Sequence, residues 1–188
     1  MWSNLNIRNK ILSVISIAFM LITVFAITEL RAVGSSVNEW KIIQSNKLLS
    51  AETGLAFKQQ VQEWKNVLLR GKDAAQNKKN WGEFQTQRIK TQEKVDELIR
   101  GLADFPEQLA KAQAFKTAHQ KMNEAYASGK KKFDDSKFDS AVGDAAVKDI
   151  DRGPNDLLQA LSDDLFSHSV YSSIVVDMDN TIIKNTFY

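Results

Sequence analysis

The 188 residues carry 25 Lys and Arg against 23 Asp and Glu, a formal net charge of +2, too small to argue for a nucleic-acid-binding surface. There is no cysteine, which excludes disulfide frameworks and thiolate metal sites. With only 8 Gly and 2 Pro among abundant Ala, Gln, Lys, Glu and Leu, the composition calls for an all-α protein.

Residues 11–28, ILSVISIAFMLITVFAIT, are 18 consecutive residues without a charge. At about 1.5 Å per residue, a helix of that length nearly crosses a hydrocarbon core of about 30 Å. Leu30 and Val33 extend it, so a transmembrane helix is expected over 11–30. Arg8 and Lys10 precede it with no acidic neighbour, whereas Glu29, Arg31, Glu39 and Lys41 balance one another behind it. By the positive-inside tendency residues 1–10 are cytoplasmic and 31–188 lie across the membrane. A cleaved signal peptide, cut after Val24-Phe25-Ala26, is the rival reading. The run exceeds a usual signal core and passes without a turn signal into an amphipathic helix, which favours the anchor.

Helix one continues out of this segment to about Arg70, where Gly71 offers a stop. Leu30, Val33, Val37 and Trp40 mark one apolar stripe, and Phe57, Val61, Trp64 and Leu68 mark another. The polar stretch 72–80 is expected to separate helix one from helix two. Helix two's inward positions read Trp81, Phe84, Arg88, Thr91, Val95, Leu98, Leu102 and Phe105, an unbroken alternation of threes and fours closed by Pro106. Pro106 opens helix three, with Ala112, Phe115, His119, Met122, Tyr126 and Phe133 inward; the tight join makes helices two and three antiparallel neighbours. Residues 128–154 fit either a loop with a short helix or a frayed continuation of helix three. Lys130, Lys131 and Lys132 beside Asp134 and Asp135 read as a solvated helix end. Helix four opens after Gly153-Pro154 and carries Leu158, Leu161, Leu165, His168, Tyr171, Val175, Met178 and Ile182 inward.

The expected fold is therefore an up-down four-helix bundle with the transmembrane helix continuous with helix one. The join at Pro106 would lie near the membrane and both other connections at the far tip. Helix four would return Tyr188 to the membrane, ahead of a second transmembrane helix beyond the chain.

Three features resemble the amino-terminal sensory region of bacterial methyl-accepting chemotaxis proteins: QEWKNVLLRG at 62–71 followed by Lys72-Asp73, the start of helix two at Trp81 to Phe84, and DRGPNDLL at 151–158. The resemblance implies a bacterial inner-membrane protein with a periplasmic sensory bundle. It implies a homodimer paired through helix one, for which Val33, Val37 and Trp40 offer a stripe. The input would be a small ligand or a periplasmic binding protein, and helix four would carry a displacement toward the membrane. The second membrane helix, relay and cytoplasmic hairpin of such receptors are not in this sequence. A sensor-kinase input domain, which uses similar bundles, and a single-pass exported structural or regulatory protein are the alternatives.

No phosphate loop, nucleophile elbow, HExxH or paired-carboxylate motif stands out, so no enzyme activity and no cofactor are expected. His119 and His168 fall on inward stripes, and at one height they would hold haem or a metal. Without a third ligand they read better as hydrogen-bonded interior histidines. Arg88 on a core stripe reads as a snorkelling side chain paired with Glu63 or Glu93, or else as a buried fork for a carboxylate. For an anionic ligand at the tip, the candidate contacts are Lys65, Arg70 and Arg152, with Arg88 as the reserve.

Overall fold

A computed structural model describes residues 6–187. Its five helices are α1 (Ile7–Arg70), α2 (Ala74–Gly101), α3 (Pro106–Asp135), α4 (Ser140–Ala146) and α5 (Arg152–Phe187), and there is no strand among the described residues. The chain divides into two compact units, 42–170 and the pair of segments 1–41 with 171–188.

In the first of these, four long helical segments close around one core. Ile43, Phe57, Trp64 and Val67 come from α1, Phe84, Val95 and Leu98 from α2, Phe115, Met122, Tyr126 and Phe133 from α3, and Leu158, Leu161 and Leu165 from α5. The stripe expected on helix one is shifted. Gln60 and Val67 are fully buried beside Phe57 and Trp64, while Val61 and Leu68 are half-buried. A glutamine takes a core position that an apolar template assigns to its neighbour. The stripes of helices two and three stand as expected, except that Trp81, Arg88 and Phe105 are half-buried.

The polar stretch 72–80 is not a separator. Asp73 caps α2, its Oδ1 accepting from the Gln76 amide at 2.9 Å, as a short carboxylate does at a helix start. Two asparagines of that stretch then turn inward to the end of α1: Asn77 Nδ2 donates to the Gly71 carbonyl at 3.1 Å and Asn80 Nδ2 to the Asn66 carbonyl at 3.3 Å. Carbonyls at a helix C-terminus lack intrahelical partners, which is why polar residues are wanted there. At the other end, buried Asn46 donates to the Gly101 carbonyl at 3.1 Å and to Ile42 at 2.9 Å, tying α1 to the α2–α3 turn. Pro106 stands at the start of α3, as expected.

Residues 128–154 hold both of the expected possibilities, a continuation of α3 to Asp135 and then the short α4, capped by Asp139. Between them Lys137 and Phe138 adopt φ of 60° and 64°, a left-handed region that costs a side chain about 1–2 kcal/mol. The Phe138 ring packs edge-on against Phe133 at 5.7 Å. Helix α5 begins at Arg152, so Gly153 and Pro154 lie inside its first turn.

Close backbone approach at the tip demands glycine. A Cβ on Gly71 would sit 2.4 Å from the Phe133 ring and 2.5 Å from the Val67 carbonyl oxygen, whereas one on Gly82, in the exposed face of α2, would meet nothing within 4 Å. Gly71→Ala is therefore expected to destabilise by about 1–3 kcal/mol, and Gly82→Ala to stabilise by up to about 1 kcal/mol. Urea unfolding of the two variants in detergent micelles checks the opposite signs.

In the second unit the large apolar side chains of α1 from Ile7 to Leu30 are exposed, Phe19 at 72% and Met20 at 68% among others. Among the described residues one helix, α1, is long and apolar enough to cross a membrane. Val33, Val37 and Trp40 are half-buried. On α5 the expected inward pattern fails here: Tyr171 and Met178 are 68% and 59% exposed, while Ser172 is buried. A small hydroxyl side chain permits closer backbone approach than the ring beside it. The inward placement of Ile182 and the orientation of Tyr188 lie outside the described residues.

Candidate functional site

Two successive turns of α1 and the first turn of α5 enclose a cleft of about 380 Å³. Lys58, Val61, Gln62 and Lys65 line it from α1 at helical spacings of i, i+3, i+4 and i+7, which places them on one side of the helix. Asp151, Arg152, Asn155 and Asp156 line it from the other side, and buried Phe57 forms its floor. A second cavity of about 320 Å³ shares Phe57, Lys58 and Asn155 and runs on to Ser50 and Ser162, whose hydroxyls are 2.7 Å apart.

The cleft thus carries both signs of charge. Lys58 and Lys65 are exposed along α1. Arg152 stands at the positive end of a 36-residue helix, where Asp149 holds its Nη2 at 2.9 Å. Asp151 and Asp156 add carboxylates on the same wall. Such a surface can bind a small polar molecule through charge-assisted hydrogen bonds, which are shorter and stronger than neutral ones.

Of the four cations singled out from the sequence, Lys65 and Arg152 meet in this cleft. Arg70 is exposed in the last turn of α1 and is not among the cleft's lining residues. Arg88 is half-buried on α2, where its Nε donates to Gln85 Oε1 at 2.7 Å and its Nη1 to Gln92 Oε1 at 3.0 Å. Its guanidinium is thus occupied by neighbours on its own helix rather than by Glu63 or Glu93. Sequence reasoning missed Lys58, Gln62, Asn155 and Asp156. The signal was available in the four-residue steps Lys58-Gln62 and Val61-Lys65, and in DRGPND, which joins a helix start to three charges.

Beneath the cleft floor is a polar ring of buried Gln60 and His119 with half-buried Asn123. His119, fully buried, approaches Gln60 Oε1 through Nε2 at 2.7 Å; Gln60 Nε2 donates to Asn123 Oδ1 at 2.5 Å; Asn123 Nδ2 lies 3.3 Å from His119 Nδ1. These partners fix the assignment: Nε2 carries the proton and donates to Gln60, and Nδ1 accepts from Asn123. Phe115 stacks on the imidazole at 5.6 Å and Phe57 meets it edge-on at 5.9 Å. Burial, and after it the Arg88 charge, lowers the His119 pKa to about 4, so the ring is neutral at pH 7. His168 is half-buried, and its Nδ1 has no hydrogen-bond partner among the described residues. Among the described residues no group of three or more His, Cys, Asp or Glu is placed to hold a metal ion.

Among curated proteins, the methyl-accepting chemotaxis protein CtpH of Pseudomonas aeruginosa is 35% identical to this chain over 118 residues, 63% of this chain and 20% of that protein. The chain thus spans about a fifth of the length of the relative it matches. No family model matches the chain, and no solved structure matches it. The identity supports a region related to methyl-accepting chemotaxis proteins and, with the long apolar N-terminal helix, points to a membrane protein.

Proposed function

We propose that this chain, with its chemotaxis-protein-related region, is the ligand-sensing input region of a transmembrane chemoreceptor. The observation that carries the reading is the 35% identity over 118 residues; the apolar run of α1 and the charged cleft between α1 and α5 support it. In this reading residues 11–30 anchor the chain in the bacterial inner membrane, residues 1–10 face the cytoplasm and residues 31–188 the periplasm. The chain has no catalytic task. A ligand in the cleft shifts α5 relative to α1, and α5 carries the shift toward the membrane.

The homodimer belongs to the same proposal. Leu48, Leu55 and Leu69 stand 64%, 59% and 79% exposed on α1 at seven-residue multiples, the spacing at which like helices pair. They extend to the outer half of α1 the pairing proposed for Val33, Val37 and Trp40.

The ligand is proposed to be a small anion, or a molecule presenting a carboxylate or similar group, bound by Lys65 and Arg152 with Lys58 beside them. Calorimetry of the full chain in detergent micelles against amino acids, organic acids and inorganic anions tests this. For a compound that binds, Lys65→Ala and Arg152→Ala should each weaken affinity roughly ten- to a hundred-fold, the loss of one charge-assisted contact of about 1.5–3 kcal/mol, and Arg70→Ala should not. Unchanged affinity in both cleft variants would move the site elsewhere, with Arg88 next. Binding by none of the compounds would favour recognition of a periplasmic binding protein, or a single-pass structural role.

A further inference from the structure

The ring formed by Gln60, His119 and Asn123 does something that the apolar layers around it cannot. Leucine, phenylalanine and valine burial is non-directional, so a slipped arrangement can recover part of it against other apolar partners. The polar ring allows no such recovery. Each of its three side chains is bonded to the other two, at 2.5 to 3.4 Å, and Gln60 is its sole member on α1. A slip of one helical turn, about 5.4 Å, would bring Phe57 or Trp64 to the level of His119. It would leave the imidazole N–H and the Gln60 amide without partners in the core.

We infer that the Gln60–His119–Asn123 ring sets the axial register of α1 against α3. A buried polar group used in this way specifies one arrangement among several of similar apolar burial. The face that α1 turns to α5 is built differently. A Cβ added at Gly54 would only reach ordinary contact with the Leu158 methyl, at 3.8 Å, the Ser50–Ser162 pair can exchange donor and acceptor, and the two cavities lie along it. Asp164 of α5 is held by Lys111 at 2.7 Å and Gln108 at 3.0 Å from α3, through side chains long enough to follow a small shift. α1 and α3 therefore form one fixed frame, against which α5 has the greater axial freedom. Only the consequence that a ligand displaces α5 rests on the sensory reading; the register assignment stands without it.

The test uses spin labels on Gln59→Cys in α1 and Gln120→Cys in α3, both exposed, in a chain with no other cysteine. Pulsed dipolar spectroscopy of the full chain in lipid nanodiscs should give one narrow distance. Adding Gln60→Leu with His119→Leu should broaden it or add a population displaced by up to about one turn, ~5 Å, while the thermal midpoint stays level or rises. A single unchanged distance in a variant that still melts cooperatively would overturn the inference. Should the double variant fail to fold, Gln60→Met, which removes the only α1 member at similar volume, is read by the same distance, and an unshifted narrow peak there overturns it as well. A label pair on Lys58→Cys and Gln159→Cys, between α1 and α5, serves as the comparison and should be broader than the α1–α3 pair in the unsubstituted background. Equal widths would remove the asymmetry between the two faces.

Discussion

Trp64→Ala is expected to cost about 3–5 kcal/mol, the range for deleting a large buried aromatic side chain. Trp64 is 3% exposed and is the hub of an aromatic cluster. Its ring centroid lies 5.3 Å from Tyr126 and 6.4 to 6.5 Å from Trp81, Phe84 and Phe133. Trp81 stacks flat on Phe84 at 4.8 Å. Alanine would leave a void bounded by α2 and α3, whose rings are held by one another and cannot all collapse inward. The indole N–H has no hydrogen-bond partner among the described residues, so Trp64→Phe should lose packing but no hydrogen bond and cost well under half as much. Urea unfolding of both variants in micelles, followed by far-ultraviolet circular dichroism, measures the pair. A tryptophan needed for a polar contact would make the two losses similar.

Acidification is expected to weaken the bundle through His119. Its folded pKa is lowered to about 4, against about 6.5 for an unfolded histidine. Between these values the unfolded chain binds a proton that the folded chain refuses, so stability falls as pH drops through 6.5 and the loss is complete below about 4. From pH 7 to pH 5 the contribution is about 2 kcal/mol. Carboxylates titrate over part of the same interval, but they are common to the wild type and to His119→Gln. The difference between the two in unfolding free energy should therefore change by about 2 kcal/mol from pH 7 to pH 5, the wild type losing more. Parallel pH profiles would mean that the imidazole is open to water or already charged at neutral pH.

How much of this was legible in the sequence depended on what each stretch had to satisfy. Helix three could be read position by position, because Ala112, Phe115, His119, Met122, Tyr126 and Phe133 face one continuous core and all are buried. Pro106 fixed the join to helix two through its missing N–H. The reading failed where polarity served the interior. Asn77 and Asn80 looked like connector residues, yet they close the end of α1; Gln60 fell outside the expected apolar stripe, yet it is buried with His119. Neither is visible without the partner that satisfies it, and that partner lies on another helix. The cleft was half legible for the same reason. Lys65 and Arg152 could be assigned to one end of the bundle from helix lengths, but Arg70, one and a half turns beyond Lys65, points away from it. Only the rotation of α1 decides which of its cations share a wall.

The sequence separation across the helix pairs has a consequence for assembly. α2 and α3 are joined through the tight turn ahead of Pro106, and α4 follows α3 within a few residues. The Ser50–Ser162 and Lys47–Ser169 contacts instead span 112 and 122 residues. Contacts between chain neighbours close first because they confine the least chain, whereas distant ones gain by waiting until the intervening segment is already compact. During synthesis the α2–α3 hairpin can form while α5 is still on the ribosome. α1 must then hold its α5-facing side unpaired until α5 arrives, and Lys47, Ser50, Gly54 and Lys58, interrupting the apolar residues along that side, make the wait more tolerable in water than an unbroken apolar stripe would.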